Sequence, residues 1–220
     1  VCSSDLLSRM LNARNSNPYE RAVAQYTRAH QRLSLEDFEG ASKDFASCLR
    51  AKTLEDRLEQ NIRFDLAQIL LQLGKAREAK MQLKSWLKRA SKPSAKAYEV
   101  LASAHIECSE SEEAIAAIKK AIAIRGRAKE SWLRLLLALY YELGRQRRAI
   151  ETAIEILERK PNDELLWEQL ASLYLEQRDE DKALAAAEVA LLAKTSKLAE
   201  PQEEKVLRLA KLYLHQSLPH

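Results

Sequence analysis

Apolar residues recur along most of the chain at the spacing of three and four that places them on one side of an α-helix. These periodic stretches come in pairs, and each pair is joined by a short polar turn. A small residue opens the second stretch of four successive pairs: Ala79, Ala114, Ala149 and Ala183, which are 35, 35 and 34 residues apart. The repetition predicts stacked helical hairpins. No alternating β-branched run with an Asn-Gly or Asp-Gly turn predicts a strand.

Weaker copies of the pattern precede and follow these four hairpins. Upstream, 19–33 and 36–49 are predicted as one helix pair, although its Ala41 lies 38 residues before Ala79. Downstream, the string VLRLAKLY at 206–213 repeats the start of a hairpin. We therefore predict a disordered or non-native segment over 1–16 and one domain over 17–220, with hairpins at about 18–52, 60–93, 94–128, 129–162 and 163–194 and a partial hairpin at 202–220.

Several residues explain physically why the chain would fold in this pattern. The alanine that opens each second helix occupies a close contact between two helices, where a larger side chain would overpack the interior. Gly74 and Gly144 lie at turns where the end of a helix favours a positive φ. Pro93 and Pro161 lie between hairpins, because proline cannot continue a helix interior. Ser109 or Ser111, before two glutamates, suits the N-cap of a helix.

The period near 34 resembles that of the tetratricopeptide repeat. In that motif a large residue is followed by Leu and a small residue, and alanines mark the second helix. The segment that matches most fully has Trp167, Leu170, Ala171, Tyr174, Ala183, Ala187 and Ala190 at the motif positions. The segment from Trp132 departs from the motif, since Leu136 and Leu137 stand where Leu and a small residue are expected. The resemblance implies an all-α fold, an α-solenoid of about five hairpins and half of a sixth in a right-handed superhelix.

Composition narrows the class of protein. Hydrophobic residues make up 46% of the 220, which is too apolar for a disordered chain. The net charge of +4 is spread among interleaved acidic and basic residues, so it does not indicate binding to nucleic acid or to an anionic membrane. No apolar stretch approaches the 18 residues of a membrane-spanning helix. The three cysteines, Cys2, Cys48 and Cys108, form no CxxC motif and leave the redox compartment open.

No arrangement of residues indicates catalysis. His105 and Cys108 are three apart on one predicted helix, but no second pair with ligand spacing completes a zinc site. His30, His215 and His220 have no nucleophilic or acidic partner that would suggest a triad. Glycine-rich phosphate-binding motifs are absent from the sequence. We therefore predict a protein that is not an enzyme and that binds neither a cofactor nor a metal.

Function is expected on the first helices of successive hairpins, which line a concave groove in solenoids of this kind. The groove positions combine polar and apolar residues, a mixture that suits an extended or helical peptide, although each could instead be a solvated helix surface. They lack the clustered Lys and Asn with which chaperone-adaptor repeats bind a C-terminal carboxylate. The predicted groove residues are Asn61, Phe64, Gln68, Lys96, Glu99, Ser103, Ser131, Arg134, Tyr141, Glu168 and Ser172, accompanied by Leu71, Ile106, Ala138 and Leu175.

A narrower resemblance covers 61–192. The strings NIRFDLAQILLQLGK, KESWLRLLLALYYELGR and LLWEQLASLYLEQRDEDKALA are similar to those of the repeat protein encoded beside TonB-type energy-transducing systems of proteobacteria. That resemblance implies a periplasmic scaffold that assists ExbB/ExbD/TonB-like motor proteins in outer-membrane uptake. The opening VCSSDL resembles read-through of a sequencing adapter, so we expect a metagenomic fragment that has lost its signal peptide.

Two alternatives to the transport scaffold remain at this point. One is a general repeat adaptor, in envelope or pilus assembly or in a cytoplasmic complex. The other is the regulatory or recruiting domain of a larger enzyme whose catalytic part lies outside this sequence.

Overall fold

The computed structural model describes residues 17–52 and 54–196, together with Ala210 and Tyr213. Between residues 17 and 196 the described chain forms ten α-helices, and it contains no strand. Consecutive helices pair into five hairpins, which confirms the predicted all-α fold of repeated hairpins. The helices are α1 (Pro18–Ser34), α2 (Phe38–Arg50), α3 (Asp56–Gln72), α4 (Ala76–Arg89), α5 (Ala95–Glu107), α6 (Ser111–Arg125), α7 (Glu130–Glu142), α8 (Gln146–Arg159), α9 (Glu164–Glu176) and α10 (Glu180–Ser196).

Helix starts follow from side chains that satisfy the free N–H groups of the first turn. Asn17 caps α1 by accepting a hydrogen bond from the Tyr19 N–H at 3.1 Å, and Glu20 accepts one from the Asn17 N–H at 3.3 Å. Asp37 caps α2, because its carboxylate accepts a hydrogen bond from the Gly40 N–H at 2.8 Å. Helix α2 therefore begins after Asp37, two residues later than the predicted start at residue 36.

The predicted serine cap of α6 is wrong. The N-cap residue is Glu110, and no side chain caps this helix. Ser111 is the first residue of the helix and is buried. The Glu110 carboxylate instead binds two side chains, those of Lys80 and His105.

One backbone position has the same conformation in all five hairpins. The residue at the turn between the paired helices adopts a left-handed φ of 58 to 69°. Glycine supplies this conformation at Gly74 and Gly144, as the sequence predicted. In the other three hairpins a residue with a side chain adopts it: Glu36, Ser109 and Arg178.

The small residues that set the predicted repeat are each the fourth residue of the second helix of a hairpin. Ala79, Ala114 and Ala149 are completely buried, and Ala183 is 3% exposed. The register of the repeat is therefore confirmed. Leu136 and Leu137, which depart from the motif, are both buried as well.

The chain divides after Gly126 into two compact units. We call the part that contains α1–α6 the first unit and the part that contains α7–α10 the second unit. The core of the first unit includes Phe45, Ile62 and Leu66. The single domain predicted over 17–220 stays a prediction.

The core of the second unit extends to two residues beyond α10. Ala210 and Tyr213 are buried, and the Tyr213 ring packs edge-on against Trp167 at 5.5 Å. The Tyr213 hydroxyl donates a hydrogen bond to the Lys182 carbonyl at 3.1 Å. The rest of the predicted partial hairpin at 202–220, and the segment 1–16, lie outside the described residues.

Candidate binding surface

The structure divides the predicted groove residues between the two units. In the first unit α3 and α5 pack side by side, and we call their exposed side the first face. In the second unit the exposed side of α7 and α9 forms the second face. The first face carries Asn61, Phe64, Gln68, Lys96, Glu99 and Ser103, and the second face carries Ser131, Arg134, Tyr141, Glu168 and Ser172. All eleven residues are exposed or partly exposed. Their role in binding stays a prediction.

One end of the second face is a cluster of charges around Arg134. Its guanidinium donates hydrogen bonds to Asp163 at 2.5 Å and to Glu130 at 3.0 Å, and these interactions raise the pKa of Arg134. Lys160 binds the other oxygen of Glu130 at 2.8 Å. Lys160 and Arg134 together lower the pKa of Glu130. The cluster links the start of α7 to the cap of α9, so Arg134 is held in place on the surface.

The opposite end of the second face carries two large exposed side chains, Tyr141 and Leu175. Tyr141 is 51% exposed and Leu175 is 59% exposed. The Tyr141 hydroxyl donates a hydrogen bond to Glu176 at 3.3 Å, which joins the ends of α7 and α9. Because Arg134 and Tyr141 are seven residues apart on one helix, their Cα atoms are separated by about 10 Å.

Short side chains occupy the middle of the second face. Ala138 is exposed on α7, and Ser172 is exposed on α9. The Ser172 hydroxyl donates a hydrogen bond to the Glu168 carbonyl of its own helix at 3.1 Å, so it lies against the helix. The second face therefore has small side chains at its centre, ion pairs at one end and the exposed Tyr141 and Leu175 at the other.

The first face is more polar and includes one residue that serves packing. Lys96 and Glu99 form an ion pair at 3.6 Å on α5. The Ser103 hydroxyl donates to the Glu99 carbonyl at 3.3 Å. Phe64 is only partly exposed, because its ring packs against Trp86 of α4 at a centroid distance of 5.6 Å.

A pocket of about 370 Å³ lies between the start of α3 and the end of α4. We call it the Gln60 pocket; Asp56, Arg57, Gln60, Asn61, Trp86, Arg89 and Lys92 are among its lining residues. The amide nitrogen and oxygen of Gln60 are both buried, and neither has a hydrogen-bond partner among the residues that the structure describes. Sequence reasoning missed Gln60, because its neighbour Asn61 was the residue that fell on the predicted groove.

A second feature that the sequence did not reveal is a polar cluster in the first unit. Nδ1 of the buried His105 lies 2.5 Å from one oxygen of Glu110, and Lys80 Nζ lies 2.5 Å from the other. Hydrogen bonds from Lys80 and His105 lower the pKa of Glu110. Among the described residues no group of three His, Cys, Asp or Glu side chains could hold a metal ion. His105 and Lys80 both bind Glu110, and this contact joins α4 to the turn of the next hairpin.

The thiol of Cys48 is completely buried. It donates a hydrogen bond to the Ala22 carbonyl at 3.2 Å, and burial, together with the nearby Asp44 charge, raises its pKa to about 12.

Nothing in the part of the chain that the structure describes has the length and apolar composition of a membrane-crossing helix.

Comparison with known proteins gives two findings. Residues 95–127, which include α5 and α6, match the family model of the tetratricopeptide repeat. No curated protein matches the chain.

Solved structures with the same fold extend the likeness beyond that hairpin. The MamA protein has a TM-score of 0.65 at 23% identity, covering 80% of this chain and 93% of MamA. MamA from Desulfovibrio magneticus RS-1 has a TM-score of 0.61 at 14% identity, covering 81% and 97% of the two chains. YrrB, described as a TPR protein with an unusual peptide-binding site, has a TM-score of 0.62 at 14% identity, covering 93% and 97%. At these identities the likeness shows the fold alone.

Proposed function

We propose that this chain, a helical repeat protein of the tetratricopeptide type, is a non-catalytic scaffold that binds a segment of a partner protein on the first helices of its hairpins. The observation that carries the proposal is the second face. Arg134 and its acidic partners occupy one end, and the exposed pair Tyr141 and Leu175 occupies the other. A short partner segment could place an apolar anchor against Tyr141 and Leu175 and polar groups near Arg134.

Two further observations support a peptide ligand. The centre of the second face carries Ala138 and Ser172, whose small side chains leave room for a backbone to approach closely. YrrB shares the fold, and a peptide-binding site is described for that protein. Peptide recognition on the first helices of the hairpins is therefore the function that we propose for this chain.

The finer proposal places the scaffold in a TonB-type envelope transport complex. It rests on the similarity of the string KESWLRLLLALYYELGR, which includes all of α7, to repeat proteins encoded beside such systems. The partners would then be ExbB/ExbD/TonB-like motor proteins, and the location would be the periplasm. The alternatives are a general adaptor in envelope or pilus assembly, a cytoplasmic adaptor, and the recruiting domain of a larger protein.

Site-specific photo-crosslinking in the native cell tests the scaffold and its finer assignment together. A photoreactive amino acid replaces Ser172 on the second face, and a control replaces Glu158, which is exposed on the second helix of a hairpin. We expect a crosslinked partner from position 172 and none from position 158. The measurement is mass spectrometry of the crosslinked bands.

The identity of the crosslinked partner separates the alternatives. Motor proteins or an outer-membrane receptor would support the transport scaffold. Pilus components or cytoplasmic proteins would rule that assignment out and leave the general adaptor. Equal crosslinking from positions 172 and 158 would contradict binding on the second face.

A further inference from the structure

We propose that Tyr26, His30 and Asp65 form a site in the first unit that binds an arginine side chain of the partner segment. We call these three residues the Asp65 site. The inference rests on the proposed function, because it assumes a protein partner, but it concerns α1 and α3 and not the second face. No predicted groove residue lies on α1, so the site adds a further first helix to the binding surface.

The first argument is that no cation balances the Asp65 carboxylate. It forms no hydrogen bond and no ion pair with any residue that the structure describes. Burial raises the pKa of Asp65, because a carboxylate taken partly out of water disfavours its charged form. A cation on the partner would supply the missing charge. The other buried or partly buried carboxylates in the described part of the first unit are each bound to a Lys or Arg side chain: Asp44, Glu59, Glu99 and Glu110.

The second argument is the pair of rings beside this carboxylate. Asp65 lies on the side of α3 that carries Ile62, which is buried in the same core cluster as Phe45. The rings of Tyr26 and His30 pack on Phe45 at centroid distances of 6.0 and 5.4 Å, and they contact each other edge-on at 4.5 Å. The Asp65 charge acts on Tyr26, and the His30 charge acts on Asp65. The two rings and the carboxylate therefore lie together.

The third argument is that a ligand can reach the site and that arginine suits its chemistry. His30 is exposed, and Tyr26 and Asp65 are partly exposed. Unlike the amide of Gln60, the carboxylate of Asp65 is not closed off from solvent. A guanidinium can donate two parallel hydrogen bonds to a carboxylate and stack on an aromatic ring. The ammonium of lysine is more strongly hydrated and makes a single point contact, so it fits less well.

Asp65→Asn tests the missing cation in the chain without a ligand. Because the pKa of Asp65 is raised in the folded protein, its ionised form destabilises the fold at pH 7, and Asp65→Asn should raise the melting temperature. Asp181→Asn is the matched control, since it makes the same substitution at an exposed position of α10, and it should change the melting temperature little. A lower melting temperature for Asp65→Asn would show that the carboxylate already has a partner within the chain, and it would overturn the inference.

The binding test begins with selection from a phage library of random 12-residue peptides on the full chain. We expect the enriched peptides to carry arginine. Fluorescence anisotropy then gives the affinity of the synthesised peptides for the wild-type chain and for variants. Asp65→Asn should weaken binding about tenfold or more, and Asp181→Asn should leave it nearly unchanged. Replacing the peptide arginine with citrulline, which has the same shape but no charge, should weaken binding to the wild type by a similar factor and have no effect on the weaker binding to Asp65→Asn.

The outcomes distinguish this inference from the proposed function. Peptides that bind Asp65→Asn as tightly as the wild type, but lose affinity for Arg134→Ala, would overturn the Asp65 site and leave the second face in place. Enriched peptides without arginine would also overturn the site and leave the proposed function standing. Failure to enrich any peptide would contradict the proposed function itself, and the inference with it.

Discussion

At the scale of single residues, two buried tryptophans differ in how the indole N–H is satisfied. Trp167 Nε1 donates a hydrogen bond to the Pro161 carbonyl at 2.8 Å. Trp132 is equally buried, at 2% exposure, but its Nε1 has no hydrogen-bond partner within the described chain. Lys129 lies 4.6 Å above the Trp132 ring and contributes a cation–π contact instead. A buried donor without a partner costs free energy, so the two indoles are not equivalent.

Replacing each tryptophan with phenylalanine should expose this difference. Both substitutions remove a similar volume from the core, but Trp167→Phe also breaks a hydrogen bond and leaves the Pro161 carbonyl unpaired. We expect Trp167→Phe to be more destabilising than Trp132→Phe by about 1 kcal/mol. Urea denaturation midpoints measure the difference, and equal shifts for the two variants would contradict it.

The stability that the Glu110 carboxylate contributes depends on pH, because its partners shift its pKa. Its pKa lies below the ordinary value of 4.5, mainly through Lys80, and the pKa of Lys80 lies above 10.5, mainly through Glu110. The ion pair between Glu110 and Lys80 therefore stabilises the folded protein fully between pH 4.5 and 10.5. It is lost as pH falls through the lowered pKa of Glu110 or rises through the raised pKa of Lys80.

Glu110→Gln tests this window. The wild-type chain should melt at a higher temperature than Glu110→Gln at pH 7, and the difference should shrink as pH falls below 4.5. The control is Glu107→Gln, at an exposed position three residues earlier. Its melting temperature relative to wild type should not follow the same profile. A difference for Glu110→Gln that stays constant down to pH 3 would show that the contact does not depend on the charge.

At the scale of elements, the hairpin is the unit of construction, and its turn is the position under backbone constraint. Gly74 and Gly144 adopt the left-handed conformation without a Cβ penalty, whereas Arg178 adopts φ of 61° with a full side chain. That conformation costs an L-residue roughly 1–2 kcal/mol. The same turn is therefore relaxed in some hairpins and strained in others.

Removing the glycine from one turn and introducing a glycine at another should change the stability of the protein in opposite directions. Gly144→Ala should destabilise the protein by about 1 kcal/mol. Arg178→Gly should stabilise it by roughly 0.5 kcal/mol, because relief of the strain exceeds the added entropy of the unfolded chain. Arg178→Ala is the control and should have little effect. The measurement is chemical denaturation, and destabilisation by Arg178→Gly would show that the arginine side chain contributes more than the turn strain costs.

The sequence predicted the register of the hairpins correctly but not every helix start and cap. The spacing of Ala79, Ala114, Ala149 and Ala183 gave the register, since close helix contacts admit only small residues there. The start of α2 and the cap of α6 were predicted incorrectly. Local signals at Ser109 and Ser111 resemble a cap, but Glu110 occupies the cap position and binds residues of other helices.

At the scale of the whole molecule, a stack of repeats transmits a perturbation mainly to neighbouring repeats. Ala183 is buried at the start of α10, and Glu180 is exposed three residues before it. Overpacking at Ala183 by Ala183→Trp should cost roughly 1–3 kcal/mol. Glu180→Trp should cost little, because its side chain can extend into solvent.

Hydrogen exchange with mass spectrometry would locate the effect of Ala183→Trp. We expect faster exchange in α9 and α10 and unchanged exchange in α1 and α2. Glu180→Trp should leave all four helices as in the wild type. Uniformly faster exchange in every helix of Ala183→Trp would mean that the chain unfolds as one cooperative body.

The sequence alone determined the all-helical class, the hairpin repeat and which residues lie on the exposed sides of α3, α5, α7 and α9. Periodicity carries that information, because the side chain at each position of a helix points in a direction that follows from residue number. Only the tertiary structure showed the contact of Glu110 with Lys80 and His105, the division after Gly126 and the buried amide of Gln60, which has no partner among the described residues. These features depend on which side chains from different helices meet and on how completely they exclude water. The spacing of residues within one helix does not give the contacts between helices or the degree to which water is excluded.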